Sequence, residues 1–296
     1  MSIPHEFDYT RPGSLSEALA VLGESGADAR PLAGGTDLLP RLRDGLEHPS
    51  VLVDLKAIRE LAGIRAEEDA VTLGALATFT DLVESQEVAD SLPVMVEMAR
   101  LMGSVGIRNR ATIVGNICSG VPSCDSGPVL LVCDARVHVA GPEGAREIPL
   151  SEWFVAPRST SLGRSEIVTG VSLQRPGPGH GGCFVKLRRS SGEDLAQASV
   201  AALALPDGSY RVAFGAVAPT PVRAGRIEEA LRGRAIDGDA LVEVRGLVSE
   251  ETSPICDIRA SREYREHMLP VMLERALLAA ASRRDGEGPP YGEALL

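Results

Sequence analysis

Apolar spacing divides the chain into three stretches of different character. In the first, Leu15, Ala18, Leu19 and Leu22 recur on one helical face, Ser14 with Glu17 reads as a capping box, and Gly26 stops the run. This predicts a helix over about 15–24. Residues 29–33 read as a short strand, Thr36 or Asp37 is placed to cap a helix running through Leu42, and 51–55 is a buried strand. The polar stretch 56–60 then reads as a boundary.

In the second stretch, 71–75 is a strand, 80–84 begins a short helix, and Pro93 opens a helix to about Met102. An irregular glycine-rich run follows over 103–111. Residues 128–132 read as a buried helix, and 137–139 and 147–150 as strands joined by a turn at 141–144. The segment Pro176-Gly177-Pro178-Gly179-His180-Gly181-Gly182 is the clearest linker. Beyond it, strands are expected over 184–187, 199–205 and 210–218, the last two joined by Asp207-Gly208, with helices over 227–231, 240–247 and 262–282. Pro270 is expected to kink or break the last helix. The predicted organisation is therefore 1–57, 58–176 and 177–285, with a mobile tail over 286–296.

A chain of 296 residues exceeds what one core usually holds, in keeping with that division. Its hydrophobic fraction of 44% is that of a soluble globular protein, with no apolar run long enough to cross a bilayer and hence no membrane span. No basic and apolar leader opens the sequence, so a cytoplasmic location is expected. The net charge of −11 argues against a nucleic-acid surface and means that any phosphate site must be local, built from oriented backbone amides. Cys118, Cys124, Cys133, Cys183 and Cys256 are expected to be reduced thiols; the first three lie close together, but their spacing matches no iron–sulfur motif, and no metal site is expected.

Two glycine turns answer the demand for a local phosphate site. One is Leu32-Ala33-Gly34-Gly35-Thr36-Asp37-Leu38, the other Thr112-Ile113-Val114-Gly115-Asn116. Each lies between an apolar run and a segment about to turn or enter a helix, where successive N–H groups converge on an anion. Either turn alone needs no more than glycine's freedom at positive φ. Together they point to a diphosphate cofactor.

With these pieces in order, the chain resembles the FAD-binding subunit of molybdenum hydroxylases, the xanthine dehydrogenase and aerobic carbon monoxide dehydrogenase family. The resemblance runs nearly end to end. It includes Phe7-Asp8-Tyr9 with Arg11-Pro12, the 33–38 turn, Val53-Asp54-Leu55, and Gly74-Ala75 with Thr78. It continues through Ile107-Arg108-Asn109-Arg110-Ala111-Thr112-Ile113 into Gly115-Asn116, Pro122-Ser123-Cys124-Asp125-Ser126, Lys186 with Asp194, and Asp257-Ile258-Arg259-Ala260-Ser261 before Tyr264-Arg265.

The resemblance implies an α+β fold: a two-part FAD-binding module of the vanillyl-alcohol-oxidase-like (PCMH) type, then a C-terminal domain with a three-stranded antiparallel sheet and helices. It implies FAD extended between the first two domains, its pyrophosphate and ribityl held by residues 33–37 and 112–116. Met102 and Ser119 match positions that approach the flavin or its chain, and Asp125 a carboxylate that hydrogen-bonds the cofactor. Lys186 matches a lysine near the flavin in some relatives, whose charge would stabilise an anionic reduced flavin. The plainer alternatives are a helix cap for Asp125, an exposed strand position for Lys186 and core filler for Met102. The implied partners are a [2Fe–2S] subunit and a molybdopterin-containing subunit, as a dimer of heterotrimers, with NAD, a quinone or oxygen as acceptor. No substrate-hydroxylating residue is then expected in this chain.

One departure stands out: Val114 occupies a position that is usually glycine in the family, and a β-branched side chain resists positive φ. Some relatives also carry a cysteine-bearing loop for a [4Fe–4S] cluster after the second turn; the short step from Asn116 to Asp125 argues against one here. A self-sufficient FAD oxidase or reductase of the wider fold group is the alternative function, though none of the five histidines lies in either glycine turn. A flavin-free interaction subunit has Val114 as its only support.

Overall fold

The computed structural model describes residues 3–190 and 193–296. Its first sheet is small and parallel: Val51–Asp54 lies between Asp8–Thr10 and Ala29–Leu32. The helix Leu15–Ser25 packs Ala18 and Leu22 inward. Ser14 caps it by accepting from the Glu17 amide at 3.3 Å, but the Glu17 carboxylate turns to the Gly13 amide at 2.8 Å, so half of the expected capping box forms. Gly26, with φ 55°, ends the helix in a conformation that favours glycine.

The second sheet is antiparallel, in the order Ile64–Ala66, Ala70–Gly74, Ile167–Gln174, Arg136–Gly141 and Gly144–Pro149. Its central strand, Ile167–Gln174, was not among the elements predicted. A register shift between Val168 and Gly170 breaks the alternation that would have announced it. Gly170 lies where the neighbouring strand passes closely: a Cβ there would sit 2.7 Å from the Leu73 carbonyl oxygen. Short helices cover this sheet, and Trp153, fully buried, donates its indole N–H to the Ile117 carbonyl at 3.1 Å. The run 103–111, expected to be irregular, contains the four-residue helix Val105–Arg108.

The third sheet orders Gly181–Leu187, Ala198–Ala204, Tyr210–Gly215 and Val222–Arg223, all antiparallel. The expected three strands are present and a two-residue edge strand makes a fourth. Every residue of the first two strands is buried, because both faces are covered. Phe184, Ala201, Leu203 and Ala213 join the core of the preceding sheets. Val185, Val200, Val212 and Phe214 join a second core, under the helices Gly238–Glu251 and Arg262–Arg284. The sheet is thus a wall shared by two cores.

Of the kink or break expected at Pro270, the break does not occur: the last helix runs through it, held by its buried stripe of Leu269, Met272, Leu273 and Ala276. The segment 286–296, expected to be mobile, is tied down: Arg283 stacks on Tyr291 at 4.0 Å and donates to the Pro289 carbonyl, and the Gly292 amide donates to Glu97 at 3.0 Å.

Candidate functional site

The parallel strand Ala29–Leu32 and the helix Ile113–Cys118 deliver both glycine-rich segments to one cleft of 340 Å³, within the size range of small-molecule sites. On the first side, Gly35 turns the chain at φ 76° and its carbonyl accepts from Leu39 at 3.0 Å, starting the helix Leu38–Arg43. Asp37 occupies the cap position but makes no capping bond. The amides of Gly34, Gly35, Thr36 and Asp37 donate to no acceptor among the described residues. Backbone donors rarely stay unpaired away from water, so this row of N–H groups is available to a ligand.

The second segment is not a turn but the opening of a helix. Thr112 caps it, its Oγ1 accepting from the Gly115 amide at 2.9 Å. Ile113 donates to the Ala77 carbonyl and Phe79 to the Ala111 carbonyl, which pins this start to the neighbouring segment before Phe79–Glu84. Val114 therefore has ordinary helical backbone, is 5% exposed, and lines the cleft as wall. Its departure from glycine carries no strain, because the left-handed conformation is not used there.

The two segments meet at Gly34. A Cβ on it would overlap the Arg110 carbonyl oxygen and lie 2.7 Å from the carbonyl carbon. Behind the second segment, the Asn116 Oδ1 accepts from Ser126 Oγ at 2.7 Å, the Ser126 amide at 3.3 Å and Cys124 Sγ at 3.0 Å. Asn116 thus spends its oxygen on the scaffold and keeps its amide N–H groups. Ser119 donates to the Asn116 carbonyl at 2.7 Å and also lines the cleft. Cys118, on the lining, is held as a neutral thiol, burial pushing its pKa up to about 12.

Not every predicted residue reaches this cleft. Ile113 points into the core, fully buried, and Met102 packs half-buried against the core. Asp125 and Lys186 form a buried ion pair at 2.6 Å, and Lys186 also donates to the Leu101 carbonyl at 3.2 Å. Lys186 is therefore no exposed strand residue, and Asp125 makes no helix-capping bond. Burial pushes the Asp125 carboxyl above its ordinary pKa, against the pull of Lys186. Its Oδ1 is buried without a partner among the described residues, an acceptor open to a ligand.

Lys56, which the sequence did not single out, supports the first segment. It pairs with the buried Asp54 at 2.7 Å and donates to the Ala33 carbonyl at 3.3 Å. Burial pulls the Asp54 carboxyl up, but hydrogen bonds from Lys56 and Tyr9 outweigh it and hold the group below its ordinary pKa. A carboxylate with a lowered folded pKa stabilises above its unfolded pKa and loses that contribution as pH falls through the folded value. We expect the stability deficit of Asp54→Asn to be full at pH 7 and to shrink below about pH 4, as read by urea unfolding at several pH values. A deficit unchanged at pH 3 would refute this.

The chain matches, over residues 5–175, the family described as the FAD binding domain in molybdopterin dehydrogenase, and over 183–280 the CO dehydrogenase flavoprotein C-terminal domain. The chain belongs to this family of FAD-binding medium subunits of molybdenum hydroxylases. It is 37% identical over 285 residues to the carbon monoxide dehydrogenase medium chain of Afipia carboxidovorans, covering 95% of this chain and 99% of that one. It is 30% identical over 282 residues to the glyceraldehyde dehydrogenase medium chain of Sulfolobus acidocaldarius, covering 94% and 99%. Its fold superposes on the reconstituted CO dehydrogenase from Oligotropha carboxidovorans with a TM-score of 0.92 at 36% identity, covering 95% and 100%. The two-part flavin-binding module and the sheet-and-helix C-terminal domain are those of this family. The chain is an oxidoreductase subunit that carries FAD and transfers electrons, and no helix among the described residues is long and apolar enough to cross a membrane.

Proposed function

We propose that the cleft holds FAD in an extended form, with residues 32–38 on one side and Thr112, Val114, Gly115, Asn116 and Ser119 on the other. The observation that carries this is the row of unspent amides from Gly34 to Asp37, facing the capped start of a second helix across a contact only glycine permits. Such donors suit a diphosphate in a protein of net charge −11, since they need no basic patch. Ile113 acts from beneath by fixing the helix start. Asp125, with its unpartnered Oδ1, accepts from the cofactor, and Lys186 and Met102 complete the flavin end. Lys186 holds the Asp125 carboxylate in place and brings positive charge to that end.

When bound, the flavin supplies a centre that takes electrons singly and releases them in pairs. The protein orients it and holds its phosphates on fixed dipoles, and this reading needs no substrate acid or base from this chain. Electrons come from a [2Fe–2S] subunit fed by a molybdopterin-containing subunit, in a cytoplasmic dimer of heterotrimers, and leave to NAD, a quinone or oxygen. Relatives named for carbon monoxide and for glyceraldehyde match this chain along nearly its whole length, which fits a substrate pocket located in another subunit.

Co-purification tests the assignment. Partners carrying [2Fe–2S] and molybdopterin, together with flavin absorbance in this chain, are expected. A solitary chain that turns over a substrate, or one that takes up no FAD on reconstitution, would overturn it.

A further inference from the structure

Arg158 stands apart from Arg41, the other cation that lines the cleft. Arg41 is paired with Glu47 at 2.8 Å, and Glu166 with Arg146 at 2.7 Å. The Arg158 guanidinium has no hydrogen-bond or ion-pair partner among the described residues, which leaves it the one lining cation without a counter-charge. Its backbone is also unusual. It forms, with Pro157, the two-residue tip of the hairpin Phe154–Ala156 and Ser159–Thr160, and it sits at φ 61°, where such a turn ordinarily has glycine. A long cationic side chain is held at a glycine position, beside a cleft built for an anion.

The two glycine-rich segments face each other as jaws across the cleft, and the tip is fixed in place by the second of them. The Arg158 amide donates to the Gly120 carbonyl at 2.7 Å, just past the helix that Thr112 opens. Gly120 is itself at φ 59°, and a Cβ on it would lie 3.1 Å from the Arg158 Cα. The hairpin therefore rides on the end of the helix whose start faces the ligand. Strained conformations of this kind persist where the surroundings over-determine them, and they gather at ligand clamps.

We propose that Arg158 is a cofactor-binding residue whose guanidinium engages the anionic ADP half of FAD. This rests on the cleft being the FAD site. In a protein that otherwise meets the diphosphate with neutral amides, Arg158 supplies the full positive charge and the planar donor fork that suits phosphate oxygens. The oxidised isoalloxazine is uncharged, so the ADP half is the part that such a cation selects.

The decisive variant is Arg158→Gly, because glycine is at ease at φ 61° and the change relieves the backbone while deleting the charge. The full-length chain, stripped of flavin, is titrated with FAD and with riboflavin at low and high salt. For Arg158→Gly and Arg158→Gln we expect FAD affinity to fall about ten-fold, with a shallower salt dependence than in the parent and riboflavin affinity unchanged. Arg158→Lys recovers part of the loss, and the flavin-free Arg158→Gly chain melts no lower than the parent. If the parent binds FAD and Arg158→Gly binds it equally well, the role of Arg158 is overturned while the site stands. If weaker binding accompanies a lower melting temperature in Arg158→Gly and is absent from Arg158→Gln, the arginine is structural and the proposal fails. If the parent itself binds no FAD, the site assignment fails and this inference fails with it.

Discussion

Gly34→Ala should yield a protein without flavin. The position has no left-handed backbone to protect, since Gly34 is not among the glycines at positive φ. What excludes a side chain is contact: the new Cβ would overlap the Arg110 carbonyl oxygen and come within 3.1 Å of the Ala111 Cα. Backbone cannot swing aside as a flexible side chain can, so the strand turn must move off the segment leading to Thr112. That shift opens the two jaws, and an extended ligand touched by both loses one of them. Overpacking costs about 1–3 kcal/mol, and more where backbone must move; binding should fall by a hundred-fold or more because the geometry of both amide sets is lost together. The readouts are the ratio of flavin to protein absorbance after purification and the melting temperature of the flavin-free chain.

Gly23→Ala is the matched control. Gly23 lies in the helix Leu15–Ser25 with nothing within 4 Å of the added carbon, so it should gain about 0.5–1 kcal/mol. Gly35→Ala is intermediate, since φ 76° strains an L residue but the nearest neighbours, Leu32 and Leu39, are side chains that give way. A Gly34→Ala protein that purifies with parental flavin content would disprove the closed-jaw account.

These contacts explain which parts of the candidate site are legible in the sequence. The first jaw was readable because a strand, two glycines and a helix start are adjacent in the chain, and local chemistry fixes such a turn. The second was readable as a list of residues but not as a conformation. Ile113–Cys118 is a six-residue helix rich in β-branched side chains, with Gly115 inside it, a poor helix former by propensity. It is stable because Ile113, Val114 and Ile117 are buried and Thr112 caps it. Lys56 and Arg158 were out of reach for a different reason. Their places depend on sheet register and on a hairpin pinned to a distant turn, and neither position carries a local signal. Asp125 and Lys186 were picked out by resemblance, but their pairing across 61 residues is a product of the third sheet packing against the helix Ser126–Val132. The anchoring of the tail is not legible because its proline, glycine and glutamate content reads as solvated chain, whereas its anchor, Glu97, lies 195 residues before Gly292.

That anchor gives the largest expected change in stability. Glu97 and Arg283 form an ion pair at 2.9 Å with both side chains 3% exposed. Glu97 also accepts from the Phe184 amide at 2.8 Å and the Gly292 amide at 3.0 Å. Arg283 donates in turn to the Gly182 and Pro289 carbonyls. One carboxylate and one guanidinium thus join the helix Pro93–Arg100, the first strand of the third sheet and the tail. Arg283→Met leaves a buried carboxylate with amide donors but no counter-charge, which costs about 3–5 kcal/mol. In a chain of this size that is a fall in melting temperature of roughly 10 °C. The double variant Glu97→Met with Arg283→Met removes both charges, so it should be more stable than Arg283→Met alone, since an uncompensated buried charge is worse than none. It does not return to the parent, because Phe184 and Gly292 lose their acceptor. Hydrogen exchange should quicken first in Gly181–Leu187, the strand that also carries Lys186, so flavin retention weakens in Arg283→Met without any change to the jaws. A double variant no more stable than Arg283→Met would mean that the penalty comes from lost packing rather than from the stranded charge.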